Sequence, residues 1–134
     1  MTNRIGFIST RLAGTDGVSL ETAKWANLLS TMDCECFYFA GECDWPADRS
    51  YLVPEAHFEH PDVMAINTDL FGDGVRSSET SKAVQRLKDH LKAHLYIFIK
   101  QFKLEILIPQ NALAIPMNIP LALAITELIA ETGM

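Results

Sequence analysis

Between Arg4 and Ala40 the chain reads as an apolar run, a glycine-bearing loop, an amphipathic stretch and a second apolar run. "RIGFIS", residues 4–9, has the composition of a buried strand. Val18, Thr22, Trp25, Ala26, Leu29 and Met32 then recur at helical spacing and define one face of a first helix. "CECFYFA", Cys34–Ala40, is a second strand rich in aromatic residues. Two strands joined through a helix cannot be antiparallel neighbours on a hairpin. The arrangement is a βαβ unit, and it commits the chain to a parallel sheet with covered faces.

The remainder extends that grammar. Pro46, Pro54, Pro61, Gly72 and Gly74 interrupt residues 41–76, where "SYLVP" and "VMAIN" are expected as short strands. Val84, Leu87, Leu91, Leu95, Phe98 and Phe102 sit three or four apart and predict a long helix from Ser77 to about Phe102, capped by Ser77 or Ser78. "KLEILI", Lys103–Ile108, reads as a continuous apolar strand of the central parallel kind. After the loop "PQNALAIPMN", a last helix is expected from about Pro120 to Glu131, with Gly133 at its end. The expected fold is α/β: one domain over residues 1–134, a Rossmann-like open parallel sheet with helices on both faces. Because the pattern ends on a helix, the sheet is expected to have an unfinished edge.

Composition narrows the function. Apolar residues are 49% and charged residues 21% of the 134, as in a folded core. The formal charge of −6 and the scattered Lys and Arg oppose a phosphate backbone, so no nucleic-acid partner is expected. No leader segment is evident. The most apolar stretch, "ALAIPMNIPLALAITELIA", is broken by Pro116, Asn118 and Pro120, so no membrane span is expected and a cytoplasmic location is the default. Cys34, Cys36 and Cys43 form no CxxC pair and are expected as free thiols. No metal and no cofactor is expected.

The loop "AGTDG" lies where an open parallel sheet places its ligands, beyond the carboxyl end of a strand. The following helix turns its free N–H groups and positive dipole end toward that space, which favours an anion such as a phosphate. Glycine permits close backbone approach and positive φ. Asp16 suits a helix cap or a sugar hydroxyl better than a phosphate. The loop fits neither G-x-G-x-x-G nor a P-loop, and no G-x-S-x-G elbow is present. On pattern alone the favoured reading is a turn followed by a cap.

Other candidates read as structural. His90 and His94, at i and i+4, lack the glutamate of H-E-x-x-H and are expected at the helix surface or core edge. His57 and His60, near Glu55, Glu59 and Asp62, are expected in a solvated acidic loop. Cys36 is expected to be buried and unreactive. Trp25 is expected in the core, and Trp45 is expected to cover apolar surface from a loop.

"RIGFISTRLAGTDGVSLETAKWANLL", "CECFYFAGECD" and "NALAIPMNIPLALAITELIAETG" together resemble the N-terminal domain of retaining, two-Rossmann-domain, family-4-like glycosyltransferases that use nucleotide sugars. The resemblance is closest over residues 3–44 and 103–133 and looser over 45–102. It implies the acceptor-side domain of an enzyme that moves a glycosyl group from a nucleotide sugar to a hydroxyl acceptor. The donor-binding C-terminal domain is absent from this sequence. The chain is therefore expected to be inactive alone and to need that half from the same gene product or from a partner chain; self-association is the other partner expectation. The resemblance assigns Gly14, Thr15, Asp16, Gly17 and Val18 to the donor's phosphate and sugar, and Asn111 and Asn118 to the acceptor-side cleft. Gln110 stands where relatives often carry Glu, so it supplies no charged group, and no catalytic residue is assigned. The alternative is a non-catalytic Rossmann-like module, a small-ligand binder or a remnant.

Overall fold

The structure is a computed structural model that describes residues 3–14, 17–57, 59–71, 78–110 and 118–133. In chain order the elements are β1 (Asn3–Ile8), β2 (Arg11–Leu12), α1 (Gly17–Ser30), β3 (Cys34–Ala40), β4 (Glu42–Cys43), β5 (Ser50–Leu52), α2 (Pro61–Phe71), α3 (Ser78–Phe102), β6 (Ile106–Pro109) and α4 (Ile119–Thr132). Single 3-10 turns occupy Ala47–Arg49 and Pro54–Ala56.

β1, β3, β5 and β6 form one parallel sheet in the spatial order β5-β3-β1-β6. Counted along the chain, its strands lie third, second, first, fourth. The period of two divides their side chains between two cores. Ile5 and Phe7 join Cys36, Tyr38 and Ala40 under α1. Ile8, Phe37 and Phe39 face α2, α3 and α4. The helix after β1 therefore covers one face and the helices after β5 the other. Right-handed crossovers require this change of face when the chain reverses direction across the sheet. The fold is the expected mixed α/β, Rossmann-like open sheet with helices on both faces.

Several expectations are corrected. "VMAIN" is not a strand but lies in α2. Pro61 opens the helix, and Val63 and Ile66, one turn apart, are buried. The fourth sheet strand begins at Ile106, not Lys103. Lys103 takes positive φ, and Leu104 N–H donates to Ile99 O at 3.0 Å. That Schellman closure of α3 consumes the first residues of "KLEILI". Nor is this strand central: among the described residues it is an edge, and Ile106 is 44% exposed. Trp25 is outside the core, 46% exposed, with Nε1–H donating to Glu21 Oε1 at 3.0 Å. Met32 is exposed as well. The sheet-facing side of α1 is Ser19, Thr22 and Ala26, small residues that let the helix lie close to the strands. Trp25 falls beside that stripe and clears the sheet.

The β3-to-β5 crossover has no α-helix. Trp45 covers the strands instead, stacking on Tyr38 with ring centroids 4.2 Å apart. The three cysteines are free, and Cys36 is buried. Among the described residues no helix is long and apolar enough to cross a membrane.

Candidate functional site

In a doubly wound sheet the ligand crevice opens where neighbouring strands send their connections to opposite faces. Here that point lies between β1 and β6, beyond their carboxyl ends. Gln110 N–H donates to Ile8 O at 2.8 Å and closes the strands at the base of the crevice.

Gly14 and Gly17 stand on one side of it, on a scaffold that sequence periodicity did not reveal. β1 and β3 continue to pair past the main sheet. Ser9 N–H donates to Phe39 O and Gly41 N–H to Thr10 O, both at 3.0 Å. β2 then pairs with β4 as a second, two-stranded parallel sheet. Both strands are too short for periodicity to register. Asp44 N–H donates to Leu12 O at 3.2 Å and ends this extension.

Gly14 has φ +74°, the left-handed region that favours glycine. Its N–H donates to Asp44 Oδ2 at 2.9 Å. Ser19 Oγ–H donates to Ala13 O at 3.0 Å and braces the loop from within α1. Gly17 opens α1, and a Cβ placed there would meet nothing within 4 Å. Val18 packs on the core beneath α1. Thr15, Asp16 and Asn111 lie outside the described residues.

Asn118 is placed differently from a cleft-lining amide. It is 2% exposed and is the N-cap of α4, its Oδ1 accepting from Leu121 N–H at 3.1 Å. Its Nδ2 donates to Glu55 O and Ala56 O, both at 3.0 Å. The side chain ties α4 to the turn after β5. A helix cap was legible here from Asn118 before Ile119 and Pro120.

Charge around the loop is mixed. Arg11 Nε lies 3.3 Å from Glu42 Oε1, and His57 Nε2 lies 3.3 Å from the same oxygen. Glu42 and Asp44 thus place two carboxylates just past the end of β3. In dinucleotide-binding folds an acid at the end of the second strand accepts ribose hydroxyls. The edge combines a helix N-terminus that favours an anion with acceptors suited to hydroxyls.

The histidines support structure. His57 Nδ1 accepts from Glu59 N–H at 2.9 Å, and His60 Nδ1 from Asp62 N–H at 3.2 Å. His94 Nδ1 lies 2.7 Å from Tyr51 Oη, and His90 Nε2 lies 3.4 Å from Glu55 Oε1. Among the described residues no cluster of three or more His, Cys, Asp or Glu could hold a metal ion. Burial, reinforced by Cys34, pushes the Cys36 thiol up and away from the nucleophilic thiolate.

Among the described residues a cavity lies on each face of the sheet. One, of ≈ 330 Å³, lies near the amino end of β3 beside Cys34, Trp45 and Arg49, away from the crevice. The other, of ≈ 580 Å³, lies between α2, the first half of α3 and the turn at Glu55. α3 returns the chain toward the start of β6, so its first half lies at the carboxyl edge, on the same side as the glycine loop.

No family model, curated protein or solved structure matches this chain.

Proposed function

We propose that the chain is the acceptor-side half of a glycosyltransferase that moves a glycosyl group from a nucleotide sugar to a hydroxyl acceptor. The carrying observation is the reversal of strand order at β1 and β6, with the glycine loop and the open end of α1 beside it. Transfer from a nucleoside diphosphate accelerates when the leaving diphosphate is stabilised by N–H groups and cations. In this reading α1 contributes N–H groups across the cleft. A donor-binding half, on the same gene product or on a partner, contributes the cations. The expected ligands are a nucleotide sugar and a hydroxyl compound, without a metal or other cofactor from this chain.

The test uses the species present in the native cell. Its intact mass and stable partners identify the donor half, and a screen of nucleotide sugars for diphosphate release follows. Gly17→Val is the decisive variant. The new side chain enters open space, so the fold and Tm persist. It stands at the mouth of the helix N-terminus, so kcat/KM is expected to fall by about a hundredfold, a loss of about 2.7 kcal/mol. Unchanged turnover in that variant refutes the loop assignment.

A second reading has its own support. Asp44 already occupies the Gly14 N–H, and Glu42 stands beside it. Carboxylates at this edge suit an uncharged polyol held without turnover, as in a non-catalytic binding module. A stable 14.9 kDa monomer without nucleotide-sugar dependence favours that reading.

A further inference from the structure

The ≈ 580 Å³ cavity has the size of a small-molecule site. Its floor is mainly apolar, formed by Ile66 of α2 and Ala83 and Leu87 of α3 beside the buried Thr80, and the exposed Ala65 extends the apolar lining toward the rim. Its rim is charged. Glu55 comes from the turn after β5, Asp62 from α2, and Glu79, Arg86 and His90 from α3. Residues 79, 83, 86, 87 and 90 share one face of α3, so a single helix presents floor and rim together.

The rim charges are unequally compensated. Asp62 and Glu79 stand in the first turns of α2 and α3, where the helix dipole favours a carboxylate. Glu55 faces His90 at 3.4 Å. Arg86 makes no ion pair among the described residues. The wall behind Glu55 and His90 is built in. The His90 ring packs edge-on against His94 at 4.6 Å, His94 bonds Tyr51, and Asn118 holds the Glu55 carbonyl.

We propose that this cavity binds a small zwitterion of amino-acid type. Its carboxylate pairs with Arg86, its ammonium sits among the rim carboxylates, and its apolar side chain covers the floor. A simple anion meets three carboxylates and a chain of net charge −6. A simple cation faces the Arg86 guanidinium. A ligand carrying both charges is opposed by neither, and Arg86 can bind its carboxylate bidentately.

The experiment is a titration of the ¹⁵N-labelled chain followed by amide chemical shifts, with three probes of one shape. Leucine carries both charges, leucinamide only the positive one, and 4-methylpentanoate only the negative one. Leucine is expected to shift the amides of Ala65, Ala83 and Leu87 saturably, with the other two at least about tenfold weaker, or 1.4 kcal/mol. Arg86→Gln, at an exposed position, is expected to keep the spectrum's dispersion and to weaken leucine about tenfold. It should also leave leucine no tighter than leucinamide. Glu55→Gln is expected to weaken leucine and leucinamide but not 4-methylpentanoate. Equal binding of leucine and either single-charge probe to the unaltered chain overturns the proposal. So does the absence of saturable shifts at these amides with all three probes.

Discussion

Replacing Asn118 separates a side chain that holds the fold from one that lines a cleft. In Asn118→Ala, α4 loses its cap, which costs about 1 kcal/mol. Glu55 O and Ala56 O lose their shared donor, and each under-satisfied carbonyl adds about 1 kcal/mol, less for Glu55, which water partly reaches. The sum is about 2–3 kcal/mol, a fall in Tm of about 7–11 °C for a chain of this length. Asn118→Asp sharpens the test. Its carboxylate still caps Leu121 N–H but turns a charged acceptor toward two carbonyls at a 2% exposed site. The cost at neutral pH is expected to exceed that of the alanine variant, at more than about 3 kcal/mol. Burial and the facing carbonyls raise the folded carboxyl's pKa above its unfolded value of about 4. Folding then takes up a proton, so this variant's deficit shrinks as pH falls from the raised value toward about 4. Urea unfolding of the three proteins between neutral and acid pH measures all of this. An alanine variant within about 0.5 kcal/mol of the unaltered chain refutes the reasoning and frees Asn118 for the cleft.

Gly41→Ala is expected to cost about 3 kcal/mol or more, because the new Cβ would stand 2.5 Å from His57 Cβ and 2.6 Å from its Cα, where backbone must move; a shift in the urea midpoint reads it. Thr22→Val is expected to stabilise the chain by about 1 kcal/mol, since Thr22 Oγ1 is buried without a hydrogen-bond partner among the described residues; a lower Tm than the unaltered chain contradicts this. Acid should loosen α3 from α4. Hydrogen bonds from Lys88 hold the Glu127 carboxyl below its ordinary range, and hydrogen bonds from Lys92 and Tyr96 do the same for Glu131. Their contribution is present above the unfolded value near 4.5 and is lost as pH falls through the lowered folded values. Glu127→Gln/Glu131→Gln should therefore flatten the acid limb of a stability–pH curve, and an unchanged limb contradicts the assignment.

Where a long periodic segment or a local cap decided an element, the sequence was sufficient. The stripe from Val84 to Phe102 is α3, and Gly133 ends α4 at φ +74°. β1, α1 and β3 form the expected βαβ unit, and Trp45 covers apolar surface as its neighbours suggested. Periodicity failed where the apolar signal was short or too wide. "VMAIN" carries Val63 and Ile66 at a spacing that either a strand or a helix could bury, and packing against α3 selected the helix. On α1 both Trp25 and Ala26 lie near one helical face. The closeness of the sheet admitted the small residue and excluded the large one.

The sequence by itself determined a parallel α/β sheet and put a glycine loop at the end of its first strand. Both follow from local patterns of apolar spacing and from glycine's backbone freedom. Only the tertiary structure decided the strand order, and with it the crevice between β1 and β6. It also brought Asp44 to Gly14, Asn118 to the turn at Glu55, and one face of α3 to α2 across a cavity. Those pairings join residues far apart in the chain. Their partners are set by how the layers pack, and a single strand or helix carries no local record of that packing.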